Sequence, residues 1–175
     1  TQQVSSAASD VYKRQLSSYH SYMFVSKGGE LHDSKSYNYA HVGVYFGILG
    51  LLTGMFWAKY TWGTYWTNDP KLNGSAIGLL IYFGYFILRS SIEDESKKGK
   101  ISSVYNVFAF SMLIPLIFIL PRLTDSLHPG NGGNPGFNVY DMNSQLRLVF
   151  YPAVTGFIFL GLWISDLRLK MLKLK

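Results

Sequence analysis

An all-α integral membrane protein is the fold class this sequence predicts, and three observations carry it. The chain of 175 residues is 48% hydrophobic but only 15% charged, whereas soluble chains carry about a quarter charged residues. Those charges are gathered into a few short segments. The apolar runs between them approach the roughly 20 residues that a helix needs to cross a bilayer. Aromatic residues, 17% of the chain, crowd the ends of these runs, where Trp and Tyr rings settle at headgroup level. The formal charge of +6 does not point to nucleic acid, because the basic residues flank apolar segments instead of lining one stripe with stacking aromatics. With no cysteine in the chain, disulfides, thiolate catalysis and cysteine-held metals are excluded. No phosphate-binding glycine loop, dinucleotide motif or catalytic triad is present.

Residues 1–15, TQQVSSAASDVYKRQ, are polar and small and lack the apolar stretch of a signal peptide. They read as an artefactual join or a disordered tail. Within residues 16–38, the segment 16–25 is too short to span a bilayer and reads as the remnant end of a helix. A polar cytoplasmic linker containing Gly28-Gly29 follows. Residues 39–175 form the transmembrane domain, a bundle of about four helices. The first, 39–59, carries Gly43, Gly47, Gly50 and Gly54 on a stripe that lets a neighbour approach closely. The second, 72–91, has Tyr82 and Tyr85 in its apolar centre, which suits packing against protein. The third, 101–120, contains Pro115, whose missing N–H frees a backbone carbonyl and kinks the helix. The fourth, 146–164, is closed by the basic tail DLRLKMLKLK.

Lys and Arg placement sets the expected orientation. Arg89, Lys97, Lys98 and Lys100 lie in one loop, Arg168, Lys170, Lys173 and Lys175 at the C-terminus, and Lys27 and Lys35 before the first helix. Four helices put these three regions on one side, cytoplasmic by the positive-inside rule. The aromatic segment 57–74 and the loop 122–145 then share the outer side.

These two outer segments hold the candidate site. Segment 57–74, WAKYTWGTYWTNDPKLNG, packs Trp57, Tyr60, Trp62, Tyr65 and Trp66 into ten residues. It reads either as an interfacial belt or as a shelf for a large planar ligand; if helical, Trp62 and Trp66 share a face. Asp69-Pro70 has the form of a helix N-cap with Pro at the first helical position. Of four histidines, His20, His32 and His41 fall on the cytoplasmic side, as solvated or interfacial residues. His128 lies outside, opening the Gly- and Pro-rich run HPGNGGNPG. It is either a surface histidine or a metal ligand. Lys59, Lys71, Arg122 and Arg147 are the outer basic residues, and they suit carboxylate partners or headgroups equally.

The run Trp62-Gly63-Thr64-Tyr65-Trp66-Thr67-Asn68-Asp69-Pro70-Lys71-Leu72 resembles the tryptophan-rich WWD motif of cytochrome c biogenesis proteins, of the haem exporter protein C (CcmC) and CcsA type. Tyr65 and Asn68 stand where that family usually has Trp. Ser126-Leu127-His128-Pro129-Gly130 is similar to the family's external histidine loop. The resemblance covers residues 39–175, the last four of six helices in an N-terminally truncated form, and the family's other axial histidine lies before them. It implies haem b as cofactor, His128 as an axial ligand of the haem iron, and Trp57, Trp62, Tyr65, Trp66 and Asp69 as haem-binding residues. Lys59, Lys71, Arg122 and Arg147 become possible propionate partners. It implies a multi-pass protein of the bacterial inner membrane, with the WWD segment and the His128 loop periplasmic and the C-terminus cytoplasmic. Haem would be bound and handed over, without catalytic turnover, to a periplasmic CcmE-like haem chaperone, beside CcmA/CcmB-like transporter subunits and a CcmD-like small subunit. A cytochrome c synthase subunit and a ligand-free membrane scaffold are the alternative readings.

Overall fold

The computed structural model describes residues 2–124, 126–128 and 144–173, and these are helical apart from the turns between helices. Helices α1 (Gln2–Lys27), α2 (Glu30–Trp62), α3 (Pro70–Ser91) and α4 (Glu95–Leu113) follow one another. A π-helical turn (Ile114–Ile119), the short α5 (Leu120–Leu123) and the long α6 (Ser144–Lys173) complete the order. Among the described residues, four stretches are long and apolar enough to cross a membrane: Glu30–Trp62, Pro70–Ser91, Glu95–Leu123 and Arg147–Leu172. The four-helix membrane bundle expected from hydropathy is therefore present. The part of the 122–145 loop at 125 and 129–143 lies outside the described residues.

Three boundaries differ from the sequence expectation. Residues 2–15 are not a tail but the first half of α1, and α1 packs along α2 and also touches α4 and α6. Its polarity hid it from hydropathy, although several of its polar side chains are buried against the other helices. Arg14 pairs with Asp10 one turn earlier, donates to the Gly78 carbonyl at 3.3 Å and lies 4.5 Å over the Tyr82 ring. Close approach is possible because α2 presents glycine there. A Cβ at Gly43 would sit 3.1 Å from Arg14 Cγ, and one at Gly47 would sit 3.0 Å from an Asp10 carboxylate oxygen. Gly43 and Gly47 thus face α1.

The expected linker shrinks in the same way. Gly28 and Gly29, at φ 74° and 95°, reverse the chain in two residues through a conformation that side chains disfavour. Residues 30–38 then belong to α2. Pro115 gives a wider turn where a kink was expected: Leu120 N–H donates to Pro115 O, a π-type i→i+5 bond. The basic tail after residue 164 continues α6 as helix.

The core lies between α2, α3 and α4, formed by Ala40, Val44, Leu79, Tyr82, Tyr85, Ala109 and Leu113. Tyr82 and Tyr85 are 0% and 1% exposed, as their apolar setting suggested. Asn106 donates to Ser17, Ser21 and Ser36 at 2.7, 2.8 and 2.9 Å, which ties α4 to α1 and α2 by hydrogen bonds that lipid cannot replace. The helices alternate in direction, so the bundle has two functional ends. At one end Arg89 forms a two-pronged ion pair with Asp33, donates to Ser102 at 2.7 Å and covers the Tyr37 ring at 4.7 Å. The histidines at this end, expected as solvated or interfacial, are half-buried and in contact with other rings. His20 and His32 meet through their Nδ1 atoms at 3.0 Å, and His41 stacks 4.1 Å from Phe86. Helix α1, which hydropathy did not reveal, brings His20 to His32, and Phe86 of α3 covers His41.

Candidate functional site

The opposite end brings together the two outer segments. Helix α2 stops at Trp62 because Gly63 adopts φ 80° and returns its N–H to Lys59 O, an αL cap that favours glycine. Lys59 Nζ also donates to Gly63 O at 2.9 Å. Trp62 and Trp66 therefore fall on opposite sides of a helix end and do not share a helical face. The rings divide into separate groups. Trp57 and Trp62 meet edge to face at 5.0 Å. Phe56 and Tyr65 meet at 6.0 Å, with Lys59 Nζ 5.5 Å over Tyr65. Trp66 donates through Nε1 to Asn73 at 3.2 Å, and Asn73 holds Asn68 at 2.8 Å.

Asp69 joins the two segments. One of its oxygens caps α3, accepting from Lys71 N at 2.9 Å and Leu72 N at 3.1 Å. The same oxygen lies 2.8 Å from His128 Nδ1. The other accepts from Ser126 Oγ at 2.8 Å and Leu127 N at 2.7 Å. Its side chain has 0% exposure. A buried carboxylate with five donors is satisfied only as the anion. Burial alone would raise its pKa, but the hydrogen bonds from Ser126, Leu127 and Leu72, with the nearby imidazole, hold it below the usual carboxylate value. Asp69 thus lies beneath the surface and acts on anything outside through His128.

His128 stands in the aromatic group. Its ring centroid is 5.0 Å from Trp62 and 6.3 Å from Trp57. Burial pushes its pKa down, the Asp69 carboxylate pulls it up and Lys71 pushes it down again. The net shift is downward, so the imidazole is neutral near pH 7 despite its carboxylate partner. An ionised carboxylate only accepts, which places the proton on Nδ1. Nε2 is left with its lone pair, the arrangement in which a carboxylate orients a metal-binding histidine.

The remaining residues singled out by sequence spread around this group. Tyr65 and Trp66 are 50% and 41% exposed, away from His128. Lys71 lies close enough to act electrostatically on both Asp69 and His128, with Arg122 near it in turn. Lys59 is used at the end of α2, and Arg147 lies half-buried in the first turn of α6. Sequence reasoning did not find Ser126 as a partner of Asp69. Its only signal was its place two residues before His128.

A profile of the family described as "Cytochrome C assembly protein" matches residues 13–128. Among curated relatives, the Heme exporter protein C of Haemophilus influenzae is 26% identical over 140 residues, covering 78% of this chain and 54% of that protein. The Heme exporter protein C of Bradyrhizobium diazoefficiens is 27% identical over 135 residues, 77% of this chain and 51% of that protein. The one from Escherichia coli K12 is 27% identical over 133 residues, 76% and 52% respectively. The chain spans about half the length of these relatives. The family match takes in most of α1, all of α2 to α5, and Asp69 with its partner His128. The chain belongs to the cytochrome c assembly protein family.

Proposed function

We propose that this chain handles haem b in cytochrome c maturation, binding it at the Trp57, Trp62 and His128 end of the bundle and presenting it to a partner. The observation that carries the reading is the bond from His128 Nδ1 to buried Asp69, which leaves Nε2 as a neutral donor beside two indole rings. This donor set fits haem. A neutral imidazole is a standard axial ligand for its iron, and flat aromatic surface suits its macrocycle. Lys71, which acts electrostatically on His128, and Arg122 beside it suit its propionates. Trp57 is 41% exposed, so the site is an open shelf, which favours handover over enclosure.

The same end of the bundle is periplasmic in this reading, in the bacterial inner membrane, and the Arg89–Lys100 end cytoplasmic. A CcmE-like chaperone would take the haem, with CcmA/CcmB-like and CcmD-like subunits alongside. The relatives' name, Heme exporter protein C, supports this against a synthase. Titration of the purified protein in nanodiscs with haemin tests the reading. Wild type is expected to bind with the spectrum of imidazole-ligated iron, and His128→Ala to lose that spectrum. Equal binding and equal spectra would leave a membrane scaffold with an aromatic belt.

A further inference from the structure

The segment that carries His128 rests on the start of α3 at two places, and only one of them is Asp69. The other is Gly74, five residues further along the same helix. A Cβ built there would lie 2.3 Å from the backbone oxygen of Leu116 and 3.0 Å from its carbonyl carbon. Gly74 has no positive φ, so its backbone conformation does not call for glycine. The contact does.

Leu116 O is an unusual neighbour. In a regular helix it would accept from Leu120 N–H, but that group donates to Pro115 O. In the π-helical pattern it would accept from residue 121, which is Pro121 and has no N–H. The carbonyl has lost both usual donors and points at the bare Cα of Gly74, the geometry of a weak Cα–H···O contact. From Leu116 the chain runs through α5 to Ser126, Leu127 and His128, all three bonded to Asp69.

We propose that Gly74 is a positioning residue for His128: the π-helical turn seats its free carbonyl on Gly74, and this seat sets where α5 delivers the imidazole. The inference rests on the haem reading of the site for its function, but not for its geometry. A methyl group at 74 cannot share 2.3 Å with a backbone oxygen. The turn must move away by about 1 Å to reach an ordinary carbon–oxygen contact, and His128 moves with it.

Gly78 provides the control. It lies one turn further along α3, and its Cβ would meet Leu113 Cδ2 at 2.6 Å, the far end of a flexible side chain that rotates aside. Gly74→Ala and Gly78→Ala are compared in nanodiscs by two readouts. The first, without haem, is amide hydrogen exchange over residues 120–128. The second is haemin titration with and without added imidazole. Gly74→Ala is expected to lose protection over 120–128 and to bind haemin at least tenfold more weakly, with free imidazole restoring the spectrum. Gly78→Ala is expected to match wild type in both. If Gly74→Ala does not accumulate, Pro121→Ala replaces it. It supplies the N–H that draws Leu116 O back into its own helix, and the same loss of protection is expected.

Unchanged exchange over 120–128 in Gly74→Ala, or in Pro121→Ala where that replaces it, overturns the proposal. Lost protection with unchanged haem binding would uphold Gly74 as the seat and overturn the haem reading of the site instead.

Discussion

Each end of the bundle is held by one aspartate, and the two are built differently. Asp33 meets Arg89, a cation that never releases its proton, in a two-pronged pair shared with Ser102 and backed by the Tyr37 ring. Both carboxylate oxygens of Asp33 and both terminal nitrogens of Arg89 are engaged within it. Asp69 meets His128, a neutral ring, along with a serine hydroxyl and three backbone N–H groups. Among the described residues, the second ring nitrogen, Nε2, takes no part in it. The first arrangement ties α2, α3 and α4 together and offers nothing outward. The second fixes a ring in one tautomer and presents its lone pair beside Trp57 and Trp62. The same residue type serves as a bolt at one end and as the base of a ligand at the other, and the partner decides which.

Removing each carboxylate separates these roles. Asp33→Ala leaves the Arg89 guanidinium largely buried without its anion. A loss of about 2–3 kcal/mol is expected, below the full value for a buried pair because both side chains keep some solvent. Denaturant unfolding in detergent measures it, and haem binding per folded molecule should not change. Asp69→Ala should do the reverse. It removes a helix cap, about 1 kcal/mol, and leaves Ser126 and Leu127 without their acceptor, but its distinguishing effect should be on haem binding, weakened ten- to hundredfold per folded molecule, as expected for a carboxylate that orients a ligand histidine. A haem defect in Asp33→Ala as large as that in Asp69→Ala would erase the distinction.

The second end was half legible in sequence. Hydropathy found the four spanning helices because lipid-facing helices must be apolar, and Asp69-Pro70 announced a cap because that pairing suits few other places. Charge placement put residues 57–74 and His128 on one side. What it lacked was the bond from Asp69 to His128, 59 positions apart, since nothing in local spacing encodes it. Helix α1 was missed for the opposite reason. Its polar side chains look solvated one at a time, and only glycine-faced packing against α2 shows that Arg14 and Ser17 are inside. The shelf was read too broadly, because Gly63 ends α2 within it.

That division of the rings gives the next test. Replacing Trp57 and Trp62 together with Ala should reduce haem binding roughly tenfold, from loss of the aromatic contacts around His128. Trp66→Ala should have little effect, because Trp66 is bonded to Asn73 instead. Equal losses would restore a single continuous shelf.

Acid gives the smallest effect. His128 has a folded pKa below its ordinary 6.5, so the folded imidazole takes up its proton at a lower pH than the unfolded one. Below about 6.5 the unfolded chain binds a proton that the folded site does not, and stability falls modestly until the folded pKa is passed. The contribution of Asp69, whose folded pKa is also lowered, persists above about 3.8 and fades as pH drops through its folded value. The haem spectrum should therefore be the same at pH 7.5 and about 6.5. A midpoint above 6.5 would mean that Asp69 holds a charged imidazole, making this end an ion pair like the other.

The most direct measurement is the visible spectrum of haem bound to His128→Gly in nanodiscs, titrated with free imidazole. Glycine leaves the space of the ring open above Asp69. The account predicts loss of the low-spin spectrum and its return as imidazole fills that space. A low-spin spectrum identical to wild type, indifferent to imidazole, would contradict it and leave His128 as a loop residue bonded to a structural aspartate.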